Sequence, residues 1–338
     1  MAPHRSWGGT GVTDGVTERG AAMAHPVAPV PCTVLLPAYN EEQRIEACLE
    51  ALRGAELPAG HAWRRWLLLD DSTDSTTNLA RQWAQRHPEV PLQVDSRPFR
   101  TGKAARLGEA HAQLLEHSVD ADELVLVVDG DALVRPGSLG ALLAPFAGRE
   151  GAPVVVWGSD HPDTCSLGRW ASAFQMEVTQ ELGKRVGPAE PRAYGRFFAY
   201  RLVALKDFRW QPSQVDDLQL AAWAGEHRMV TQSAWHATVS VAPARGYRDF
   251  YLQTYRYYNA LAKAQRSTGG GPIRGSLGAA WCVARRHPPW GLAYLTARAV
   301  AALQHRVSRG ALGPLWEPAS TTKEPPKRTR GGRHDLEP

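Results

Sequence analysis

Residues 124–131 read Leu-Val-Leu-Val-Val-Asp-Gly-Asp, and this stretch decides the fold of the 338-residue chain. Five consecutive apolar residues leave no polar face, which is typical of a parallel strand covered by helices on both sides. The apolar run stops at Asp129 and Asp131. The stretch therefore predicts the central strand of an α/β sheet with two carboxylates at its carboxyl end.

Three units of strand, loop and helix precede this strand. The predicted strands are residues 33–36, 66–69 and 92–94, and the predicted helices begin near residues 42, 74 and 102. Strands that alternate with helices indicate a mostly parallel, doubly wound sheet, which binds ligands at the carboxyl ends of its strands. The first two ends carry Tyr39 and the pair Asp70-Asp71.

The second half of the chain is less regular. Strands are predicted at 154–156 and 197–200, with a long helix over 167–186 and another after Asp217. We predict a flexible leader (1–30), a catalytic domain (31–265), a basic helical extension (266–316) and a disordered tail (317–338). Within the domain, residues 31–160 are the predicted donor half and 161–265 the acceptor half.

The net charge of +5 is unevenly distributed, because no acidic residue lies between Asp249 and Glu317. A local anionic partner, such as an anionic membrane surface, explains this block better than nucleic acid does. Its apolar stretches are about ten residues long, against roughly 20 for a membrane span. Two interpretations remain open: an interfacial segment on a membrane, or a basic helix pair packed on the catalytic domain with Trp281 and Trp290 in its core.

The four cysteines lie far apart and predict neither a zinc site nor a disulfide framework. A cytoplasmic protein is the expected consequence. The alternative is a peripheral position at the inner face of the cell membrane.

Two pairs of carboxylates are candidates for a binding site. Asp129 and Asp131 are spaced so that both can reach one Mg²⁺ or Mn²⁺ ion, although a plain Asp-Gly turn has the same sequence. Asp70 and Asp71 can accept hydrogen bonds from a nucleoside, or they can cap the helix that follows.

Other nucleotide-binding folds fail on sequence. A dinucleotide-binding fold needs a glycine-rich turn after its first strand, where this chain has Pro37, Ala38, Tyr39 and Asn40. Gly102-Lys103 lacks the earlier glycine and the following Ser or Thr of a phosphate loop.

Six sequence blocks, in order, resemble the family 2 glycosyltransferases over roughly residues 32–266. The blocks are 34–42 (Val-Leu-Leu-Pro-Ala-Tyr-Asn-Glu-Glu), 69–74 (Leu-Asp-Asp-Ser-Thr-Asp), 102–104 (Gly-Lys-Ala), 128–131 (Val-Asp-Gly-Asp), 215–218 (Val-Asp-Asp-Leu) and 253–257 (Gln-Thr-Tyr-Arg-Tyr). The resemblance implies a GT-A fold, a nucleotide-sugar donor (a UDP-sugar is expected), a divalent metal and inversion at the anomeric carbon.

The resemblance also assigns roles to residues. It implies that Asp217 is the general base, that Asp216 and Tyr257 lie on the acceptor side, and that Asp129 and Asp131 bind the metal. A helix N-terminus that favours acidic residues is the other explanation for Asp216 and Asp217. The implied donor-binding residues are Pro37, Tyr39, Glu41, Asp70, Asp71, Lys103, Asp129, Gln253 and Arg256.

The last block differs from the family's Gln-x-x-Arg-Trp by a tyrosine. A helix places Gln253 and Arg256 about one turn apart on one face, so that Arg256 can meet the diphosphate and Tyr257 can form a platform. A tyrosine-rich core helix is the other interpretation.

The sequence thus predicts an inverting glycosyltransferase acting on a hydroxyl acceptor, which is lipid-linked, a glycan or a natural product. Two alternatives are a non-catalytic donor-binding scaffold and a nucleotidyltransferase on a related fold. The scaffold should have lost an aspartate, and the nucleotidyltransferase should have a glycine-rich loop in place of residues 37–41.

Overall fold

A computed structural model describes residues 28–117, 120–148, 151–162, 170–186, 193–211, 216–244, 248–255 and 276–308. Its strands are β1 (Val30–Ala38), β2 (His61–Asp70), β3 (Leu92–Ser96), β4 (Leu124–Val128), β5 (Leu133–Val134), β6 (Val155–Pro162), β7 (Phe197–Arg201) and β8 (Thr231–Val241). Its α-helices are α1 (Ile45–Arg53), α2 (Thr76–Arg86), α3 (Lys103–His117), α4 (Ser138–Leu143), α5 (Trp170–Val186), α6 (Asp216–Glu226), α7 (Ser276–Arg286) and α8 (Pro288–Ser308). A further helical segment covers 248–255.

The strands form one sheet in the order β3-β2-β1-β4-β7-β6-β8-β5. The predicted parallel sheet is confirmed for β3, β2, β1 and β4, whose neighbours all run in the same direction. The other half is mixed, because β7 runs antiparallel to both β4 and β6. The sheet therefore changes direction beside β4, next to the predicted site.

Strand β4 lies at the centre of the core, and every one of its residues is buried. Alternate side chains enter two apolar clusters, Leu124, Leu126 and Val128 on one side and Val125 and Val127 on the other. Helices α1 and α2 contribute to the first cluster and α3 to the second. This two-sided burial confirms the doubly wound α/β fold predicted from the apolar run.

Strand β8 was absent from the sequence prediction, although it has eleven residues. Its burial alternates over most of its length, with Ser233, Trp235, Ala237, Val239 and Val241 facing the core. Polar residues between them dilute the apolar signal. The strand pairs with β6 in parallel and with β5 in the antiparallel sense.

The predicted C-terminal helices are present as α7 and α8, and both pack on α5. Gly291 allows close approach, since a Cβ there would lie 3.3 Å from Ala284 Cβ and 3.4 Å from a ring carbon of Phe174. The pair therefore packs on the catalytic domain, as one interpretation predicted, but that interpretation is wrong about the core, because Trp281 is 66% exposed and Trp290 is half-buried. The helices in the described ranges are all too short or too polar to cross a bilayer.

The predicted disordered tail and residues 1–27 of the leader lie outside the described residues.

Candidate active site

The carboxyl ends of β2, β1 and β4 bring the predicted donor-binding residues to one edge of the sheet. Ala38 of β1 pairs with Asp70 of β2. On the other side of β1, the Gly130 N–H donates to the Pro37 carbonyl at 3.0 Å. A Cβ on Gly130 would lie 3.0 Å from Ala38 Cβ, so the turn between the two aspartates needs glycine to lie against β1.

Lys103, the first residue of α3, connects two of the predicted carboxylates. Its Nζ lies 2.7 Å from Asp129 Oδ1 and 3.0 Å from Asp216 Oδ2, and it donates to the Gly195 carbonyl. Burial lowers the pKa of the Lys103 ammonium, but the two carboxylates more than offset this and raise it above its usual range. We call Lys103, Asp129 and Asp216 the carboxylate cluster.

Asp129 and Asp131 offer oxygens suited to a divalent cation. Burial, Asp131 and Asp216 together raise the pKa of Asp129 to about 7, against the opposing effect of Lys103. Among the described residues, no hydrogen bond or ion pair reaches the Asp131 carboxylate. The described residues also contain no group of three metal-ligating side chains that could hold an ion. Two carboxylates fit an ion that takes its other ligands from water and phosphate, as Mg²⁺ commonly does.

Asp217 lies in the first turn of α6. Its carboxylate accepts hydrogen bonds from the backbone N–H of Leu218, at 2.9 Å, and of Gly195. Burial and the neighbouring Asp216 raise its pKa to about 6, against the opposing effect of Lys103. A carboxylate with a pKa near neutrality is a suitable general base.

Gly195 links this carboxylate to the carboxylate cluster. Its carbonyl accepts from Lys103, and a Cβ at this position would lie 3.3 Å from both Cβ and Cγ of Asp217. The close contact leaves little space for a side chain between the strand and α6.

Asp70 and Asp71 both bind groups of the protein itself. Asp70 accepts from Ser72 N at 2.9 Å and from the Thr77 hydroxyl. Asp71 accepts from both the N–H and the hydroxyl of Thr101 at 2.7 Å, and Arg106 Nε lies 3.1 Å from its other oxygen. Asp71 therefore fixes the loop before α3.

The N-cap residue of α2 is Ser75, which makes no side-chain capping hydrogen bond, so the predicted cap by an aspartate is wrong; Asp74 accepts instead from Thr76 N, at 3.0 Å, in the first turn. Contact of Asp70 and Asp71 with a nucleoside stays a prediction.

The remaining donor-side residues of the first block have distinct environments. Tyr39 lies under the Arg100 guanidinium, whose Cζ is 4.1 Å from the ring centroid, an attractive cation–π geometry. Glu41 is buried, its N–H donates to the Thr76 hydroxyl at 2.8 Å, and its carbonyl accepts from Ile45 N at the start of α1. Glu41 thus holds the loop, and contact of Tyr39 with a nucleoside stays a prediction.

Sequence reasoning missed an ion pair beside the metal motif. Arg196 Nη1 lies 2.7 Å from Asp160 Oδ2, and the Arg196 carbonyl accepts from Asp129 N at 3.0 Å. Burial lowers the pKa of Arg196, but Asp160, Asp131 and Asp129 raise it beyond its usual range. The antiparallel register that pairs Val128 with Phe197 places Arg196 opposite Asp129. That register cannot be predicted from a single sequence.

The last predicted block is only partly described. Gln253 lies in the helical segment 248–255, and no hydrogen bond within the described ranges joins it to the carboxylate cluster. Phe250 and Tyr255 of this segment are buried, and Tyr251 stacks on Tyr255 with ring centroids 6.2 Å apart. Arg256 and Tyr257 lie outside the described residues.

Comparison with known proteins identifies one matching family and several similar proteins. The profile of the family described as "Glycosyl transferase family 2" matches residues 33–209. The chain is 28% identical over 109 residues to a dolichyl-phosphate beta-glucosyltransferase, ALG5C, of Trichomonas vaginalis, over 30% of this chain and 30% of that protein. It is 26% identical over 139 residues to a dodecaprenyl-phosphate galacturonate synthase of Rhizobium johnstonii, over 41% of this chain and 39% of that one.

The matched segments span less than half the length of these curated relatives. Among solved structures, the fold is similar to that of the mannosyltransferase PcManGT from Pyrobaculum calidifontis, which was solved in complex with GDP-Man and Mn²⁺. The TM-score is 0.53 at 23% identity, and the alignment covers 86% of this chain and 80% of that one.

Proposed function

Since the chain belongs to glycosyltransferase family 2 and has the GT-A fold, we propose that it transfers a sugar, with inversion, from a nucleotide sugar to a hydroxyl acceptor. The expected donor is a UDP-sugar. Membership of this family favours a glycosyltransferase over the scaffold and the nucleotidyltransferase considered above. The lipid phosphates in the names of its relatives make a lipid-linked acceptor the favoured class.

One observation carries the proposal: Asp217 lies beside the carboxylate cluster with a pKa raised to about 6. At neutral pH most of this carboxylate is ionised, yet it binds a proton more readily than an exposed aspartate does. Both properties suit a base that removes a proton from a hydroxyl. Its place beside Gly195 and Lys103 joins it to the donor side of the site.

In the proposed reaction, Asp217 takes the proton of the acceptor hydroxyl as the acceptor oxygen bonds to the anomeric carbon. The bond from that carbon to the donor diphosphate breaks on the opposite face, which inverts the configuration. Asp216 would position the acceptor beside Asp217, and Tyr257 would lie under its ring.

The chain supplies cations for the diphosphate side. Lys103 and Arg196 hold positive charge next to Asp129. Arg256 would stabilise the leaving group together with Gln253. Asp129 and Asp131 would hold Mg²⁺ or Mn²⁺, which neutralises diphosphate charge when bound. The solved PcManGT complex with Mn²⁺ supports this assignment.

On the nucleoside side, Tyr39 would stack on the base, and Arg100 would close over the tyrosine ring. Asp70 and Asp71 still have unused lone pairs and would accept from the base or the ribose. Pro37 and Glu41 would act by shaping the loop.

The names of the relatives favour a second candidate acceptor, a polyprenyl phosphate that receives the sugar on a phosphate oxygen. A phosphate monoester is already largely ionised at pH 7, because its second pKa is about 6. Such an acceptor needs no base. The two acceptors therefore differ in what they require of Asp217.

The test is the turnover of Asp217→Asn, with Asp207→Asn, an exposed aspartate away from the site, as the matched control. For a hydroxyl acceptor, turnover should fall by about 10² to 10⁴, while donor binding changes by no more than a few-fold. A loss below about tenfold would remove Asp217 as the base, and if transfer to polyprenyl phosphate continues, the second acceptor would be the correct one.

A further inference from the structure

The helix pair α7–α8 exposes large apolar side chains on its outer side. Their exposed fractions run from 52% to 87%, and the residues are Leu277, Trp281, Leu292, Leu295, Val300 and Leu303. Elsewhere in the described chain such side chains are scattered: Phe99, Val203, Val230 and Leu252. Single exposed apolar residues are ordinary, but a cluster on one helix pair marks an interaction surface.

Helical spacing makes the cluster a continuous face. The inner positions Ala279, Val283, Ala297 and Ala301 are fully buried, spaced by four residues within each helix. Leu292, Leu295 and Leu303 are spaced by three and eight residues, which places them on one side of α8, opposite to Ala297 and Ala301. The pair therefore buries small residues inward and presents large ones outward.

Basic side chains lie at the C-terminal ends of α7 and of the neighbouring α5. Helix α7 ends in Arg285 and Arg286, and α5 ends near Lys184 and Arg185, all of them exposed. Arg185 and Arg286 share one carboxylate, that of Glu181, at 3.3 and 3.4 Å. Because residues 250–316 contain no acid at all, the surface keeps a net positive charge.

We propose that the outer face of α7–α8 docks on the surface of an anionic lipid bilayer. Apolar side chains with adjacent arginines are what an interfacial helix presents to lipid, with the apolar groups among the headgroups and the cations at the phosphates. Within the described ranges no helix can span a bilayer, so α7–α8 would lie on the surface.

The helix pair is separated by α5 alone from the Asp160 side of the active site. On one side of α5, Gln180 Nε2 donates to Ser159 Oγ at 2.6 Å and to the Asp160 carbonyl at 2.8 Å. On the side facing α7 and α8, Glu177 lies 3.6 Å from His287. A helix is about 10 Å across, so α5 and the helix pair together place the outer face about 20 Å from Asp160, a distance over which a lipid-linked acceptor can extend from the bilayer. That benefit rests on the proposed function, whereas attachment needs neither donor nor acceptor.

Flotation of the full chain tests attachment, with vesicles of phosphatidylcholine alone or mixed with phosphatidylglycerol. The wild type should float with the anionic vesicles at low salt and be released at high salt. The triple variant Trp281→Ser/Leu292→Ser/Leu295→Ser should float at least about tenfold less. The double variant Val203→Ser/Val230→Ser changes exposed apolar residues elsewhere and should float like the wild type.

A charge variant separates the electrostatic component of membrane binding from the apolar component. Arg285→Gln should weaken flotation by about five-fold and lower its salt sensitivity, since one cation near anionic lipid contributes about 1 kcal/mol. Lys206→Gln, an exposed lysine outside the helix pair, is the matched control. Thermal melting should show that all variants stay folded, because every substituted side chain is exposed.

The proposal is wrong if the wild type stays unbound to anionic vesicles at low salt, or if the triple variant floats as well as the wild type. It is also wrong if the wild type is a dimer, the triple variant is a monomer and neither floats, because a second copy then covers the face. Flotation of a wild type that transfers no sugar would support attachment and reject only the proposed function.

Discussion

The carboxylate cluster and the helix pair α7–α8 depart from ordinary burial in opposite directions. The cluster places charged groups where water is scarce, with Asp216 buried and Asp129 held at a pKa of about 7. The helix pair instead exposes large apolar side chains, Trp281 among them. Both departures cost stability, and such departures are expected at functional sites. We therefore assign chemistry to the first region and attachment to the second.

Removal of metal is expected to have the largest effect, and it should affect the cluster alone. Excess EDTA should abolish sugar transfer, and Mn²⁺ should restore it, because the diphosphate charge is otherwise not neutralised. Flotation on anionic vesicles should be unchanged in EDTA. Asp131→Ala should lose the Mn²⁺-dependent part of nucleotide binding, measured by thermal shift against Asp207→Ala. Full transfer in EDTA would contradict the assignment of Asp129 and Asp131.

The two regions also differ in how far the sequence predicts them. Asp129 and Asp131 were found because an uninterrupted apolar run marks β4. The Arg196–Asp160 pair was missed because it depends on β7 lying antiparallel between β4 and β6, and a single sequence does not determine strand direction. Trp281 was placed in a core by one interpretation because large aromatic residues are usually buried.

The contacts of Lys103 within the site could not be predicted from the sequence either. The sequence places it at the start of a helix, but its contacts with Asp129 and Asp216 join three distant segments. Only the folded chain reveals that one ammonium serves both carboxylates.

In saturating Mn²⁺, which favours the ionised form of Asp129, the pH dependence of transfer should come from Asp217. Burial and Asp216 raise the pKa of this carboxylate to about 6, so the base form is lost below that value. Transfer should therefore fall about tenfold per pH unit below about 6 and level off above it. The residual activity of Asp217→Asn should not share this decline. A wild-type rate that is flat from about pH 5 to 7 would exclude a base with this pKa.

Lys103→Met tests the carboxylate cluster through its effect on the free energy of unfolding. Removing the ammonium leaves Asp129 and Asp216 without their partner, which should lower the free energy of unfolding by about 1–3 kcal/mol. Mn²⁺ should recover part of that loss in Lys103→Met, because a cation at Asp129 replaces the missing charge. Lys206→Met is the control and should respond to Mn²⁺ like the wild type. Equal melting of Lys103→Met with and without Mn²⁺ would mean that no cation binds at Asp129.

The smallest expected effect is a gain in stability for Asp217→Asn. The folded chain raises the pKa of Asp217 from 3.8 to about 6, so between these values the folded state binds more protons than the unfolded state. By linkage, the contribution of this residue to stability then falls as the pH rises through that window. Above about pH 6 the ionised carboxylate carries its full cost, and asparagine removes it.

Because Asp217 is partly exposed, solvent screening reduces this cost, and the gain should be on the order of 1 kcal/mol. Chemical denaturation near pH 8 should show Asp217→Asn to be more stable than the wild type, and the difference should vanish near pH 4. Arg285→Gln in the helix pair should show no such pH-dependent difference in stability from the wild type, because the substitution removes no titrating carboxylate. Greater stability of the wild type near pH 8 would show that the hydrogen bonds from Gly195 and Leu218 outweigh the burial of charge.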